Sequence, residues 1–237
     1  MKCNSIRLAL LALGIVSLCA SARPSMAAPA VFFDRDDNTA LMTSFPKSQA
    51  EFDKFTATLS SFGMNDVDTA VGFNPTLSFG STGITATVQG VLAQAAPTFQ
   101  IGAQALLEAD VVGFPQVNTT FDFNTYIKSF GLFVIQGGDQ ANNNPITFRL
   151  KNTSTNSFTD VPVQVGPGWG DNNVFFLGVT DTAPFNQVEI IEAGDFVDGM
   201  LYDNIVAGGA VPEPGSLLLV VLGGAGMLMR ARGFRRG

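Results

Sequence analysis

The chain has 237 residues, a formal net charge of −7 and no histidine, and its only cysteines are Cys3 and Cys19. Without histidine, Ser-His-Asp and Cys-His catalysis and imidazole metal ligands are excluded. Nineteen of the twenty acidic residues but only six of the thirteen basic residues lie between residues 28 and 210, which gives this part a net charge of −13. Nucleic acid is therefore not an expected partner, since phosphate binding needs a basic face.

The first 27 residues have the pattern of a secretory signal peptide. A basic start is followed by an apolar stretch over residues 8–20. The small residues Ser25 and Ala27 occupy the two positions that determine cleavage by signal peptidase. We predict cleavage after Ala27. The alternative is a lipoprotein signal anchored on Cys19, but Leu18 stands where such a signal needs a small residue.

Residues 28–210 are one domain's length of chain and contain no cysteine, so no disulfide holds them. Near their start, Ser48 and Glu51 match a capping box, and a stripe of large apolar residues follows at helical spacing. The stripe consists of Phe52, Phe55 and Leu59. We predict a short amphipathic helix over residues 48–62 with this stripe facing the core.

The remainder of the domain reads as β-strands separated by turn clusters. No βαβ alternation and no internal repeat is present. We therefore predict a mainly all-β fold, a single antiparallel β-sandwich or jelly roll with one short N-terminal helix. The predicted strands are residues 76–79, 84–88, 99–112, 119–123, 127–135, 146–151, 161–165, 174–179, 187–193 and 200–207.

Four carboxylates form a candidate metal site. Asp34 and Asp36 follow the expected mature N-terminus, and Asp198 and Asp203 lie near the end of the domain. The first and last strands of a jelly roll often meet, so these side chains would offer the oxygen ligands that Ca²⁺ prefers. The alternative is a solvated acidic turn. No cofactor is required by anything else in the sequence.

Trp169, the only tryptophan, is the candidate glycan contact. It lies in a turn-rich loop beside Asp171 and Asn172. Sugars stack on aromatic faces while carboxylates and amides bind their hydroxyl groups. The alternative is a tryptophan that folds back as a lid over the core.

The C-terminal 27 residues form a three-part tail. An extended joint, residues 211–214, contains Pro212, Glu213 and Pro214, and prolines of this kind cannot continue a helix. Residues 215–229 are uncharged and mostly apolar, about 22 Å long as a helix, which is a short membrane span. The four basic residues of the last part would remain in the cytoplasm, by the positive-inside rule. They are Arg230, Arg232, Arg235 and Arg236.

A tail with these three parts on an exported chain resembles the PEP-CTERM sorting signal of Gram-negative bacteria. The resemblance implies recognition by an exosortase-type membrane protease, transient anchoring in the inner membrane, removal of the helix, and release to the cell surface or into extracellular polysaccharide. An ordinary C-terminal membrane anchor is the alternative. Residues 1–27, 28–210 and 211–237 are thus expected to be the signal peptide, the β-sandwich domain and the sorting signal.

Three stretches, residues 130–133, 175–179 and 201–205, resemble the β-sandwich region common in PEP-CTERM proteins. No activity follows from that resemblance. Two functions remain open at this point: a non-catalytic surface or matrix protein associated with extracellular polysaccharide, and a glycan-cleaving enzyme that uses only carboxylates.

Overall fold

The computed structural model describes residues 27–37, 44–95, 101, 103–108, 118–135, 145–166, 173–192 and 200–210. Over these residues the chain forms twelve strands, one α-helix and one 3₁₀ turn at Gly80–Thr82, and all the strand pairs are antiparallel. The helix α1 is Pro46–Ala57. The strands are β1 Ala30–Asp36, β2 Leu59–Asn65, β3 Gly72–Phe73, β4 Thr76–Ser78, β5 Thr85–Gln89, β6 Val91–Ala95, β7 Gln104–Glu108, β8 Thr119–Ile135, β9 Ile146–Asn152, β10 Ser157–Val163, β11 Val174–Glu192 and β12 Leu201–Ala210.

The two longest strands, β8 and β11, each contribute to both layers of a sandwich. Their pairing is interrupted between Thr180 and Phe185 of β11. On one side of this break, β1, β11, β8, β12 and β2 are neighbours, and we call these strands the covered layer. On the other side, β10, β9, β11, β8, β5 and β4 are neighbours, and we call these the open layer.

The main hydrophobic core lies between the two layers. Phe130 of the covered layer contacts Phe121 and Phe148 of the open layer, with ring centroids 4.8 and 6.0 Å apart. All three rings are fully buried. This packing confirms the predicted mainly antiparallel β architecture and its sandwich arrangement.

Helix α1 packs on the outer face of the covered layer. Phe55 and Phe52 contact Phe176 of β11, with centroids 5.4 and 5.5 Å apart, and Phe52 also contacts Phe133 of β8. Gly131 and Gly178 face each other across β8 and β11 beneath this contact. A Cβ atom on either would lie 2.8 Å from the Phe176 ring and 3.0 Å from the Phe55 ring, so the glycine pair makes room for Phe55.

The helix differs from the prediction at both ends. It begins after Phe45 with Pro46 in its first turn, and Phe45 makes no side-chain cap. Asp36 of β1 instead accepts hydrogen bonds from the backbone N–H groups of Lys47 and Ser48, at 3.2 and 2.8 Å. The capping-box prediction is therefore wrong, because a carboxylate from the preceding strand β1 occupies the helix N-terminus.

The predicted C-terminal part of the helix is a strand. The helix ends at Ala57, and β2 begins at Leu59, where pairing with β12 overrides the helical spacing of the apolar stripe. Phe52 and Phe55 do pack against buried residues, as predicted, and Leu59 belongs to the same cluster from its place in β2. Asp34 and Asp36, which the alternative interpretation placed in a solvated acidic turn, lie in strand β1.

Candidate functional site

The outer face of the open layer is a continuous polar surface. In its strands buried apolar residues alternate with less buried polar ones, because one face of the layer packs on the core and the other meets solvent. Strand register places the outward residues in two rows that cross the strands. One row is Asp160, Arg149, Glu189, Thr120 and Gln89. The other is Phe158, Lys151, Gln187, Asp122, Thr87 and Thr76.

Each row runs at right angles to the strands. With neighbouring strands about 4.8 Å apart, the rows extend for roughly 20 Å. We call this surface the open face. It combines hydrogen-bonding side chains with one large exposed ring.

Arg149 lies between Asp160 and Glu189 in the first row. Its guanidinium donates to both oxygens of Asp160, at 2.8 and 3.0 Å, and to Glu189 at 3.5 Å. Hydrogen bonding to Asp160 raises the pKa of Arg149, which keeps the guanidinium charged. Asn118 donates to the other oxygen of Glu189 at 2.7 Å. These four side chains hold one another in fixed positions.

Phe158 lies at the end of the second row and is 60% exposed. The Arg149 guanidinium carbon lies 4.8 Å from the centroid of its ring, so a cation–π contact covers one side of the ring. The exposed fraction leaves the ring accessible from solvent. Further along the second row, Asp122 accepts a hydrogen bond on one carboxylate oxygen from Gln187 of the same row, and on the other from Gln89 of the first row.

This arrangement presents fixed donors and acceptors beside an accessible aromatic ring. The open face carries two cations, Arg149 and Lys151, and three carboxylates, Asp122, Asp160 and Glu189. Its charges are therefore nearly balanced, unlike the strongly acidic domain as a whole. The chemistry suits a ligand with many hydroxyl groups and no strong charge.

Asp203 is the carboxylate that its surroundings perturb most. It is fully buried in β12, and burial raises its pKa to about 8. The backbone N–H groups of Asn204 and Ile101 donate to its two oxygens, at 2.6 and 3.1 Å. Perturbed carboxylates are common at active sites. Here both oxygens accept hydrogen bonds from the backbone and the side chain is sealed from solvent, so Asp203 holds β12 to Ile101, three residues before β7 begins.

The predicted calcium ligands are not brought together. Asp34 and Asp36 lie on β1, and β11 and β8 separate that strand from Asp203 on β12. Asp34 and Asp203 share one row across the sheet, with Phe176 and Phe133 between them, about 14 Å apart at the usual strand spacing. Asp198 lies outside the described residues. Within the described part of the chain, no group of three or more possible metal-ligating acids occurs.

Other predicted sites lie outside the described residues. They are Trp169, the sorting residues from Pro212 to Arg236, and the signal peptide before Ala27. Across the described ranges, no helix combines enough length with enough apolar character to cross a bilayer. The predicted span over residues 215–229 falls beyond them.

The open face was missed by sequence reasoning, although part of its signal is visible. Alternation in residues 119–123 and 146–151 marks Asp122 and Arg149 as outward-facing. What the alternation does not reveal is which strands are neighbours. Without knowledge of the strand pairing, the sequence does not indicate that Arg149, Asp160 and Glu189 lie next to one another.

No curated protein matches the sequence. Among solved structures, three variants of CBM29-2, a family 29 carbohydrate-binding module, are similar to this chain. Their TM-scores are 0.37, 0.38 and 0.37 at 12, 13 and 12% identity, and each alignment covers 65% of this chain and 99% of the module. At that level the likeness supports no inference about a ligand.

The family described as the PEP-CTERM protein-sorting motif matches residues 210–236. The match begins at the last residue of β12 and includes the Pro-Glu-Pro joint, the apolar stretch and the four arginines. Such a motif implies export, transient membrane anchoring and surface localisation. This chain carries a PEP-CTERM sorting motif at its C-terminus, as expected of an exosortase substrate.

Proposed function

We propose that this protein is a non-catalytic, exosortase-sorted surface protein that binds extracellular polysaccharide through the open face. The observation that carries the proposal is the pair of polar rows across the open layer, anchored by Arg149 and ending in the exposed ring of Phe158. The sorting motif supports the location, and the open face supports the ligand class.

Preorganisation is the first supporting argument. The carboxylates of Asp160, Glu189 and Asp122 are held by neighbouring side chains on rigid strands. Groups fixed before binding lose little conformational entropy when the ligand arrives. Ordinary solvated side chains on a loop would not have this property.

Charge balance is the second supporting argument. The domain has a net charge of −13, so long-range repulsion opposes anionic polysaccharide at low salt. On the open face, Asp160 and Glu189 neutralise Arg149, which leaves no free guanidinium for a uronate or sulfate group. An uncharged, extended glycan lying along the rows is the ligand that this surface fits.

The proposal is tested by glycan-array binding of residues 28–210 and of the Phe158→Ala variant. Loss of the ring should lower affinity about fivefold, since one aromatic contact contributes on the order of 1 kcal/mol. Phe73→Ala is the matched control, because Phe73 is 61% exposed and lies on β3, outside the open layer. Equal losses in both variants, or none in either, would remove the open face as the binding site.

Catalysis is tested separately with the same protein. Incubation with the glycans that bind should release no reducing ends. Release that disappears on changing Asp122 or Glu189 would establish a carboxylate-only glycan-cleaving enzyme instead.

A further inference from the structure

Strand β2 carries two large apolar side chains in solvent. Phe62 is 42% exposed and Met64 is 45% exposed. Gly63 between them faces the core, where a Cβ atom would lie 2.0 Å from the backbone oxygen of Phe79. Alternation then directs Phe62 and Met64 to the outer face of the covered layer, the face that also carries α1. We call these two residues the β2 patch.

The β2 patch lies beside the end of β12, where the sorting tail begins. Phe62 pairs with Gly208 and Met64 pairs with Val206, close to the end of β12 at Ala210. The sorting motif begins at that same residue. The joint of residues 211–214 spans at most about 14 Å when fully extended. An anchored tail therefore holds the β2 patch close to the bilayer surface.

We propose that the β2 patch docks on the lipid bilayer while the sorting tail is in place. Apolar side chains are stabilised at the boundary between headgroups and acyl chains. Two such residues are too few to bind a membrane alone. The short joint makes their contact effectively intramolecular, which raises the local concentration of lipid around them. Contact with lipid is thus expected only in the anchored protein.

Docking through the covered layer sets the orientation of the domain. The open face lies on the opposite side of the main core, since the two layers pack with their outer faces pointing apart. With the β2 patch on the bilayer, the open face points away from it. This inference does not depend on whether the open face binds glycans.

The test uses site-specific labels in the full tail-bearing chain. Residues 28–237 contain no cysteine, so Met64→Cys and Thr87→Cys each give a single labelling site, on the β2 patch and on the open face. Each variant is labelled with an environment-sensitive fluorophore and reconstituted through its tail into vesicles whose lipid chains carry a nitroxide quencher. The label at position 64 should be quenched several-fold more strongly than the label at position 87. Equal quenching, or stronger quenching at position 87, would overturn the proposal.

A matched pair of substitutions tests the side chain itself. Phe62→Ser should reduce quenching of the label at position 64, whereas Phe158→Ser, an exposed phenylalanine on the open face, should not. Cutting the joint with a protease should release the domain from the vesicles. Unchanged quenching in Phe62→Ser, or a cleaved domain that stays on the lipid, would refute tail-dependent docking.

Discussion

The same two strands show opposite surface chemistry in the two layers of the sandwich. In the covered layer, the outward positions of β8 and β11 include Phe133, Phe176 and the facing glycines Gly131 and Gly178. In the open layer, the outward positions of these strands are Thr120, Asp122, Gln187 and Glu189. The difference follows from what lies above each face. Helix α1 covers the first, and solvent meets the second.

This contrast shows how one strand can belong to two environments. The last seven residues of β8 are all buried, as in strands covered on both faces, whereas its first five alternate. A strand that changes from alternation to a continuous apolar run therefore changes from a one-sided to a two-sided environment. The covered half stabilises the fold, and the open half is available for a ligand.

The sharpest test of the comparison is a pair of phenylalanine truncations. Phe55 is fully buried under α1, and Phe158 is 60% exposed on the open face. Phe55→Ala should lower the free energy of unfolding by about 3–5 kcal/mol, because it leaves a cavity above the glycine pair. Phe158→Ala should cost well under about 1 kcal/mol. Urea denaturation of residues 28–210 measures both.

Similar losses in the two variants would mean that the open face is as important for stability as the covered face. A small loss in Phe55→Ala would mean that α1 contributes little to holding the covered layer. Either result would contradict the assignment of stability to the covered layer and of ligand binding to the open layer.

Much of this contrast could be predicted from the sequence. The apolar run ending at Ile135 and the alternating residues 119–123 are each visible without a structure, and both were predicted as strands. They were predicted as two strands, however, because the exposed residues Asn124, Thr125 and Tyr126 look like a turn. The bend of a continuous strand between two layers has the same local composition as a loop.

Long-range contacts account for the rest. The capping of α1 by Asp36 depends on a strand ten residues earlier in the chain, and local spacing favoured Ser48 as the cap. The calcium prediction assumed that the first and last strands are neighbours. They share the covered layer, but β11 and β8 lie between them. Strand order is set by the whole fold, so no local pattern reports it.

A second prediction concerns Asp203, which lies in the same row as Phe133 of the covered layer. Burial raises its pKa from 3.8 to about 8, and the charges of Asp68 and Asp66 add to the effect. Between about pH 4 and pH 8 the folded protein therefore holds one more proton than the unfolded chain. Each pH unit of increase within that window should lower the free energy of unfolding by up to about 1.4 kcal/mol.

Asp203→Asn should remove this slope, because an amide does not titrate. Urea midpoints of both proteins at several pH values from 4 to 9 measure the difference, with the wild-type chain as the control. Below pH 4 and above pH 8 the contribution of Asp203 should be flat. A wild-type slope that survives in Asp203→Asn would assign the pH dependence to other groups.

The smallest expected effect on stability comes from removing the ion pair between Arg149 and Asp160 on the open face. This change distinguishes an effect on ligand binding from an effect on folding most clearly. Arg149 and Asp160 have side chains that are 35 and 40% exposed, and pairs of this kind contribute about 0.2–1 kcal/mol. Arg149→Ala should therefore leave the free energy of unfolding nearly unchanged, while it frees Asp160 and Glu189 and uncovers one side of the Phe158 ring. If the preorganised row binds glycans, the same change should weaken binding clearly.

Lys54→Ala is the matched control, because Lys54 pairs with Glu51 on the exposed side of α1 and lies outside the open face. A loss of glycan binding in Arg149→Ala with none in Lys54→Ala, at equal stability, would assign the ligand to the open face. An equal response of both variants would mean that the polar rows are only the solvated side of a sheet.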